Sequence, residues 1–255
     1  MLKTAVEAAK GAGRIISERY PDKCSITMKG FRDIVTDVDT ETESFICDLI
    51  KSRFPDHSII SEESGDHITG SRYIWVVDPL DGTNNYAHQH PMFAVSIAVL
   101  EDKDPIIGVI YDPLRDHTFA AHTGGGAKLN ESPIHVSGVK ELQNALLSID
   151  WGHENKVREE MLDYVHRVLP CCGAIRTLGS AALALAYVAA GWLDAYFQPG
   201  LKPWDTAAGA LLVEEAGGRC TTIQGAPYTL RSSRCLATNG LIHDELLKNI
   251  CDPDK

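Results

Sequence analysis

Two aspartates three residues apart, Asp78 and Asp81, close the run Trp75-Val76-Val77-Asp78-Pro79-Leu80-Asp81-Gly82-Thr83. The apolar start predicts a strand over Tyr73–Asp78, and Pro79 and Gly82 predict a tight turn that holds the two carboxylates together and exposes the Leu80 carbonyl. Carboxylates and a carbonyl are hard oxygen donors of the kind Mg²⁺ accepts, usually beside retained waters and phosphate oxygens. A helix beginning at Gly82 would aim its free N–H groups at the same spot, and such groups suit a phosphate. The turn alone reads equally well as an Asp-Pro turn with Asx-type hydrogen bonds and no ligand. Two distant clusters shift that balance. Ser61-Glu62-Glu63-Ser64 ends a short β-run, so Glu62 sits at a strand tip beside Asp78 if the two strands are neighbours. Trp204-Asp205 opens WDTAAGALLVEEAGG, a helix pattern with Asp205 at its N-cap and small residues behind it for close packing.

The elements that position these residues follow from hydrophobic period and breakers. Ala5, Ala8, Ala9, Ala12, Ile15 and Ile16 share one face of a first helix, which Pro21 stops. A second helix runs from about Thr40 to Phe54, with Phe45, Ile46, Leu49 and Ile50 as its apolar stripe. Strands are expected at Ile59–Ser61, Tyr73–Asp78, Phe93–Glu101, Ile106–Tyr111 and Thr118–His122. Beyond Ser137 strand and helix alternate: Leu146–Ile149, Glu154–Val168, Ala174–Arg176, Ser180–Ala190, Ala195–Phe197, Thr206–Ala216, Arg219–Thr222, Cys235–Thr238 and Leu241–Ile250. An α+β half is therefore followed by an α/β half, with a boundary near residue 138.

Composition narrows the function classes. The chain has 255 residues, 44% of them hydrophobic, and 35 acidic against 24 basic side chains give a net charge of −11. That is a globular composition, and its acidity argues against nucleic-acid phosphates as the main partner. Between Asp33 and Asp66 ten acidic residues face two basic ones, which marks either a solvated acidic surface or a place prepared for cations. Among these acids Glu41, Glu43 and Asp48 read as solvated helix surface. Residues 177–193 carry no formal charge but fall short of the ~20 apolar residues of a membrane span, so a buried helix is expected. The first twenty residues are charged throughout, unlike a signal peptide. Seven cysteines without a CxxC spacing predict free thiols and a cytoplasmic setting.

The motifs WVVDPLDGTNNYAH at 75–88 and WDTAAGALLVEEAGG at 204–218, with Lys29, DIVTDVD at 33–39, SEES at 61–64 and RTLGSAA at 176–182, resemble the inositol monophosphatase family of Mg²⁺-dependent, lithium-sensitive phosphatases. The resemblance spans most of the chain and implies the layered αβαβα sugar-phosphatase fold. In that scheme residues 1–137 carry most metal ligands, and residues 138–255 carry Asp205 and the substrate pocket. The implied first metal site is Glu62, Asp78 and the Leu80 carbonyl, and the second is Asp78, Asp81 and Asp205. Asp78 then bridges two Mg²⁺ ions, with a third, weaker cation near Glu62. Thr83 with Glu62 is implied as the pair that orients and deprotonates the attacking water, and Asp39 as a residue that orders the site. The N–H groups of Gly82 and Thr83 hold the phosphate; Asp81 and Asp205 also face the substrate. Lys29, Asp33, Thr36 and Asp39 correspond to a flexible loop and its anchor. Ser180 and Ala181 match a segment lining the sugar pocket, and Gly152 and His153 reach it from a loop. A homodimer and lithium inhibition are likewise implied.

Gln198 stands where many family members carry Glu. An amide both donates and accepts, so hydroxyl recognition survives with altered selectivity. The expected activity is hydrolysis of a small phosphorylated polyol or sugar, inositol 1-phosphate first, with no covalent intermediate. Fructose 1,6-bisphosphate, histidinol phosphate, NADP and 3′-phosphoadenosine compounds remain open, as does a regulatory protein-binding member. Other chemistries fail on spacing. Asp37-Val-Asp39 lacks the Thr or Val of an aspartyl-phosphate motif at Glu41, and Cys171 and Cys172 lie too close to Arg176 for a cysteine phosphatase. His88 and His90 read as rim or structural residues, Gly124-Gly125-Gly126 as a hairpin turn, and the pairs Glu159/Glu160 and Glu214/Glu215 as solvated or partly buried helix faces.

Overall fold

A computed structural model describes residues 1–22 and 24–251. The chain opens with α1 (Leu2–Arg19), the hairpin β1 (Ile26–Gly30) and β2 (Asp33–Thr36), and α2 (Asp37–Arg53). Then come β3 (Ser58–Ser61), β4 (Gly65–His67), β5 (Tyr73–Asp81), a single turn α3 (Thr83–Ala87), and β6 (Ala94–Glu101). The strands β7 (Asp104–Asp112), β8 (His117–His122), β9 (Ala127–Leu129) and β10 (Ser132–Pro133) follow. The remainder is β11 (Leu146–Ile149), α4 (Asn155–Val168), β12 (Ala174–Thr177), α5 (Ala181–Ala189), β13 (Ala195–Pro199), α6 (Pro203–Glu215), β14 (Arg219–Thr221), β15 (Arg234–Thr238) and α7 (His243–Cys251).

Strands β3 to β10 form one sheet of eight, in the order β10-β9-β8-β7-β6-β5-β3-β4, and β11 to β15 form a second of five, in the order β12-β11-β13-β15-β14. Three apolar cores fill the four interfaces between five layers, one of them spanning both sides of the central helices. Side chains alternate across a strand, so Trp75 and Val77 of β5 pack with Val95, Ile97 and Val109 beneath α1 and α2. Val76, with Ala98, Ile110 and Phe119, faces the opposite way and packs on α5 and α6. The other side of α5 and α6 meets Tyr196, Cys235 and Ala237 of the second sheet. The outer face of that sheet, with Leu147, Phe197 and Leu236, is closed by Met161 and Val168 of α4 and by Leu246 and Ile250 of α7. This is the αβαβα order. Each core depends on large side chains such as Trp75, wholly buried, whose truncation to Ala would cost about 3–5 kcal/mol.

The middle layer is built for contact. Its helix α5 is almost entirely Ala and Leu, with every residue but Tyr187 buried, and so the uncharged stretch is a core helix. A Cβ on Gly108 of β7 would lie 2.6 Å from the Ala208 carbonyl of α6, and one on Gly209 would lie 2.5 Å from Leu185 of α5. Both positions therefore need glycine.

Three expectations need correction. Phe45 was placed on the buried stripe of α2, but it is 36% exposed, and the buried face is Asp39, Thr42, Glu43, Ile46, Cys47 and Ile50. With Val38, the buried residues of α2 number seven, and three of them are acid or hydroxyl, which an apolar count passes over. Lys29, Asp33 and Thr36, which the resemblance places on a flexible loop, lie on an antiparallel hairpin, with Ile26 opposite Thr36 and Met28 opposite Ile34. Strand β1 is exposed at every residue, so no burial alternation announces it. Finally, β5 does not turn at Pro79. It runs on to Asp81.

Candidate active site

The continuation of β5 is a bulge. Asp78 pairs with Ser96 and Asp81 with Ala94, so three steps on β5 oppose two on β6. The extra residue brings both carboxylates to the same side, a common use of bulges beside functional sites. By the alternation that sends Val76 toward the central helices, Asp78 faces them as well. Leu80 N–H donates to Asp78 Oδ1 at 3.1 Å, the Asx-type bond expected of the sequence, and its carbonyl accepts from the Thr83 hydroxyl at 3.0 Å. Gly82 follows with φ +93°, where a Cβ would stand 2.9 Å from the Met92 carbonyl. Helix α3 then starts at Thr83.

From the other half, α6 delivers Asp205. It occupies the third helical position, not the expected N-cap, and its carboxylate reaches back to accept from Lys202 N–H at 2.7 Å. The start of α6 is tied to the first sheet by Ser96, whose hydroxyl donates to the Trp204 carbonyl at 3.2 Å. As a result, carboxylate oxygens of Asp78, Asp81 and Asp205 lie within 4.8 Å of one another. Burial and then the charge of Glu62 drive the Asp78 carboxyl well above the usual range. Burial pushes Asp81 to about 6 and Asp205 to about 8, against the hydrogen bonds each receives. The cluster is thus an excess of negative charge in a desolvated place. Asp81 also accepts from the Ser180 hydroxyl, from Ala181 N–H at 3.2 Å and from Ala182 N–H at 3.1 Å. It sits on the positive end of α5, and Ser180 is turned to Asp81 while Ala181 lines the cleft.

Glu62 stands where the strand-tip argument put it. Ser61 of β3 pairs with Val77 of β5 in parallel register, and Glu62 N–H donates to the Val77 carbonyl at 3.3 Å. Its carboxylate accepts from Lys29 Nζ at 2.9 Å, as does that of Glu63 at 2.8 Å. Burial opposes the Lys29 charge, but the two carboxylates hold the ammonium protonated above the ordinary lysine range. Glu43, expected on a solvated surface, is 3% exposed and accepts from Glu63 N–H at 2.9 Å and Ser64 N–H at 2.6 Å. Its carboxyl group organises the turn that carries Glu62. Asp39 is wholly buried, accepts from Thr36 N–H at 2.9 Å and takes the Thr83 hydroxyl at 2.9 Å. Thr83 and Glu62 line one cleft, but their hydrogen bonds go to Asp39 and the Leu80 carbonyl and to Lys29 respectively.

That cleft, of about 860 Å³, is lined by the carboxylates and also by Asp150, Trp151, Gly152, His153, Arg158 and Gln198. Gln198 is 6% exposed, and its Oε1 accepts from the Tyr196 hydroxyl at 2.7 Å. Asp150, not anticipated, directly follows β11, its Oδ1 accepting from Gly179 N–H at 2.7 Å. Burial pushes it to about 7. Its signal was positional: β11 and β13 are parallel, so Asp150 and Gln198 lie at the same carboxyl edge, where α/β sheets place their ligands. The hairpin β1–β2 crosses the cleft mouth. Arg32 Nη1 donates to Asn155 Oδ1 at 2.8 Å, and the Arg32 carbonyl lies 2.7 Å from His153 Nδ1.

The triple glycine is a hairpin turn between β8 and β9, and its Gly124 and Gly126 N–H groups each hold the Glu215 carboxylate at 2.8 Å. Glu160 pairs with Arg234. His90 lines the cleft, and His88 Nδ1 stays 2.8 Å from the Asn84 carbonyl. All seven cysteines are free. Among the described residues no helix is long and apolar enough to cross a membrane.

A sequence profile of the inositol monophosphatase family matches residues 1–253. The chain belongs to that family. Within it, the chain is 41% identical to a protein named Nus factor SuhB from Salmonella typhimurium (strain LT2), over 99% of this chain and 96% of the relative. It is 40% identical to an inositol-1-monophosphatase from Synechocystis sp., over 96% and 86% respectively. The crystal structure of extragenic suppressor protein suhB from Bartonella henselae superposes with a TM-score of 0.95 at 34% identity, covering 98% of both chains. The five-layer order of this inositol monophosphatase family member is thus shared with a solved relative.

Proposed function

We propose that this protein is a Mg²⁺-dependent phosphomonoesterase acting on a small phosphorylated polyol or sugar, with inositol 1-phosphate as the first substrate to test. The observation that carries the reading is the Asp78, Asp81 and Asp205 cluster in a cleft that Thr83 and Glu62 also line. The donors are all oxygen, and among the described residues no Lys or Arg forms an ion pair with any of the three. Such a set fits a hard divalent cation. Asp78, Asp81 and Asp205 would hold one Mg²⁺, and Asp78, Glu62 and the Leu80 carbonyl a second, with a third weaker cation near Glu62. When bound, the ions supply Lewis-acid neutralisation of the phosphoryl and leaving oxygens and acidify water, the help that one of the slowest uncatalysed reactions needs.

The chain does the rest by position. The Thr83 hydroxyl hydrogen is held between Asp39 and the Leu80 carbonyl, so its oxygen presents lone pairs that receive a hydrogen bond from the attacking water. Glu62 is the base beside it, once Lys29 moves to Glu63. Gly82 and Thr83 N–H groups hold the phosphate, Asp81 and Asp205 border it, and Ala181 and Gln198 face the alcohol. No side chain has to become a covalent nucleophile. Residues 1–137 and 138–255 act as two halves that meet at this site. A cytoplasmic homodimer is the assembly that the resemblance implies.

A second reading rests on the relatives named Nus factor: a protein that serves another macromolecule and whose cleft is incidental. The intact carboxylate set supports catalysis. Phosphate release from inositol 1-phosphate with Mg²⁺, its loss with a chelator and its inhibition by Li⁺ test the enzyme; no release from a panel of monoesters would leave the second reading standing.

A further inference from the structure

The alcohol end of the cleft has a polarity of its own. Tyr196 is wholly buried, and among the described residues the only acceptor recorded for its hydroxyl is Gln198 Oε1. Reversing the amide would leave a buried O–H without an acceptor, which costs about 1–3 kcal/mol. The amide is therefore locked with oxygen inward. Nε2 makes no hydrogen bond to the protein among the described residues, and it lies 3.8 Å from where a Gly152 Cβ would be, on the cleft wall. So Gln198 offers a ligand only N–H donors, although the residue type allows both roles.

On the same residue converges a cation. Arg158 Nε donates to the Gly152 carbonyl at 3.0 Å. Its two Nη groups are left without a protein hydrogen bond, and no carboxylate pairs with it among the described residues. In a chain with 35 acidic residues, a half-buried arginine lining a cleft with a free fork is a receptor for a planar or tetrahedral anion. Arg32, bonded to Asn155 and the His153 carbonyl, adds a second cation without a carboxylate partner on the same wall. Of the carboxylates nearby, Asp33 lies 3.9 Å from Lys29 Nζ, and Asp150 accepts from Gly179 N–H at Oδ1 while its Oδ2 is buried without a hydrogen-bond partner among the described residues.

We infer that the preferred substrate carries a second anionic group on its alcohol, a carboxylate or another phosphate, received by the Arg158 guanidinium and the Gln198 amide. This rests on the phosphatase reading above and names the substrate class for it. The phosphoryl group to be cleaved lies at the aspartates, and the second anion lies across the cleft, on Gly152 and its neighbours.

Steady-state kinetics with Mg²⁺ on inositol 1-phosphate and glycerol 2-phosphate, which release neutral alcohols, on 3-phosphoglycerate and on fructose 1,6-bisphosphate test it. One of the two anionic esters is expected to show kcat/KM about tenfold or more above both neutral ones, and which one it is distinguishes carboxylate from phosphate. Arg158→Gln should shrink that preference about tenfold, chiefly through KM, and Gln198→Glu should shift it toward inositol 1-phosphate. Release of phosphate with no preference for an anionic ester, or a preference that both variants leave intact, overturns the inference alone. Release from none of the four overturns the phosphatase reading as well.

Discussion

The Thr83 hydroxyl is bound to a carboxylate that no solvent reaches: it donates to Asp39 Oδ1 at 2.9 Å, and Asp39 is fully buried in the first turn of α2. The direction of that hydrogen bond decides what Thr83 offers the cleft. Asp39→Asn places an N–H against the hydroxyl and reverses it, so kcat is expected to fall about 10²-fold with KM and Tm little changed. Thr83→Ala should lose a similar amount and Thr83→Ser should stay near wild type. Equal losses in Ser and Ala would show that the methyl group, not the hydroxyl, matters.

Asp78 is the acid most surrounded by like charge. Asp78→Asn removes a buried charge, so in a chelator the variant should unfold at a higher temperature than wild type. In millimolar Mg²⁺ the order should reverse, because wild type alone gains binding free energy, and activity should be down by about 10³-fold or more. Calorimetric scans of both proteins in both buffers check this.

Glu43 acts one step behind the site. Glu43→Gln leaves one good acceptor for the Glu63 and Ser64 N–H groups, and losing a bond to a charged acceptor costs about 1.5–3 kcal/mol. The Mg²⁺ concentration for half-maximal activity should rise several-fold while Asp205-side contacts stay intact. An unchanged Mg²⁺ titration would reduce Glu43 to a purely structural residue.

His243 supplies a pH dependence far from the cleft. It is wholly buried between Thr221 at 3.0 Å from Nε2 and Thr238 at 2.9 Å from Nδ1. Burial lowers its pKa from 6.5 to about 4. The unfolded chain therefore takes up the proton first, and stability falls as pH drops from about 6.5 towards 4. Urea melts at steps across that window should show His243→Gln, less stable at pH 7, losing less on acidification than wild type. Parallel losses would remove His243 from the acid response.

Most of what positions the site was legible because it is periodic or motif-bound. Val76 and Asp78 share a strand face by period two, and Glu62 follows from β3 ending where β5 is still running. What escaped was set by tertiary contact. Glu43 lies four residues after Asp39 on the buried face of α2, a helical spacing visible in the sequence, yet acids on a helix are solvated so often that the pattern does not stand out. Arg158 is one of many helix-borne cations until Gly152 folds under it. The amide direction of Gln198 depends on Tyr196, two residues earlier on the same strand face, whose hydroxyl has no other acceptor among the described residues.

The glycines of the middle layer set a distance at which they are not present. Gly108 lets the backbone of α6 rest on β7, and Gly209 lets α5 rest on α6. Asp205 is four residues before Gly209 on the same helix, and Asp81 is pinned to the first turn of α5. A helix thickened by one methyl group would lift off its neighbours and carry its carboxylate with it. The spacing of the three carboxylates is therefore gauged by two hydrogen atoms remote from them.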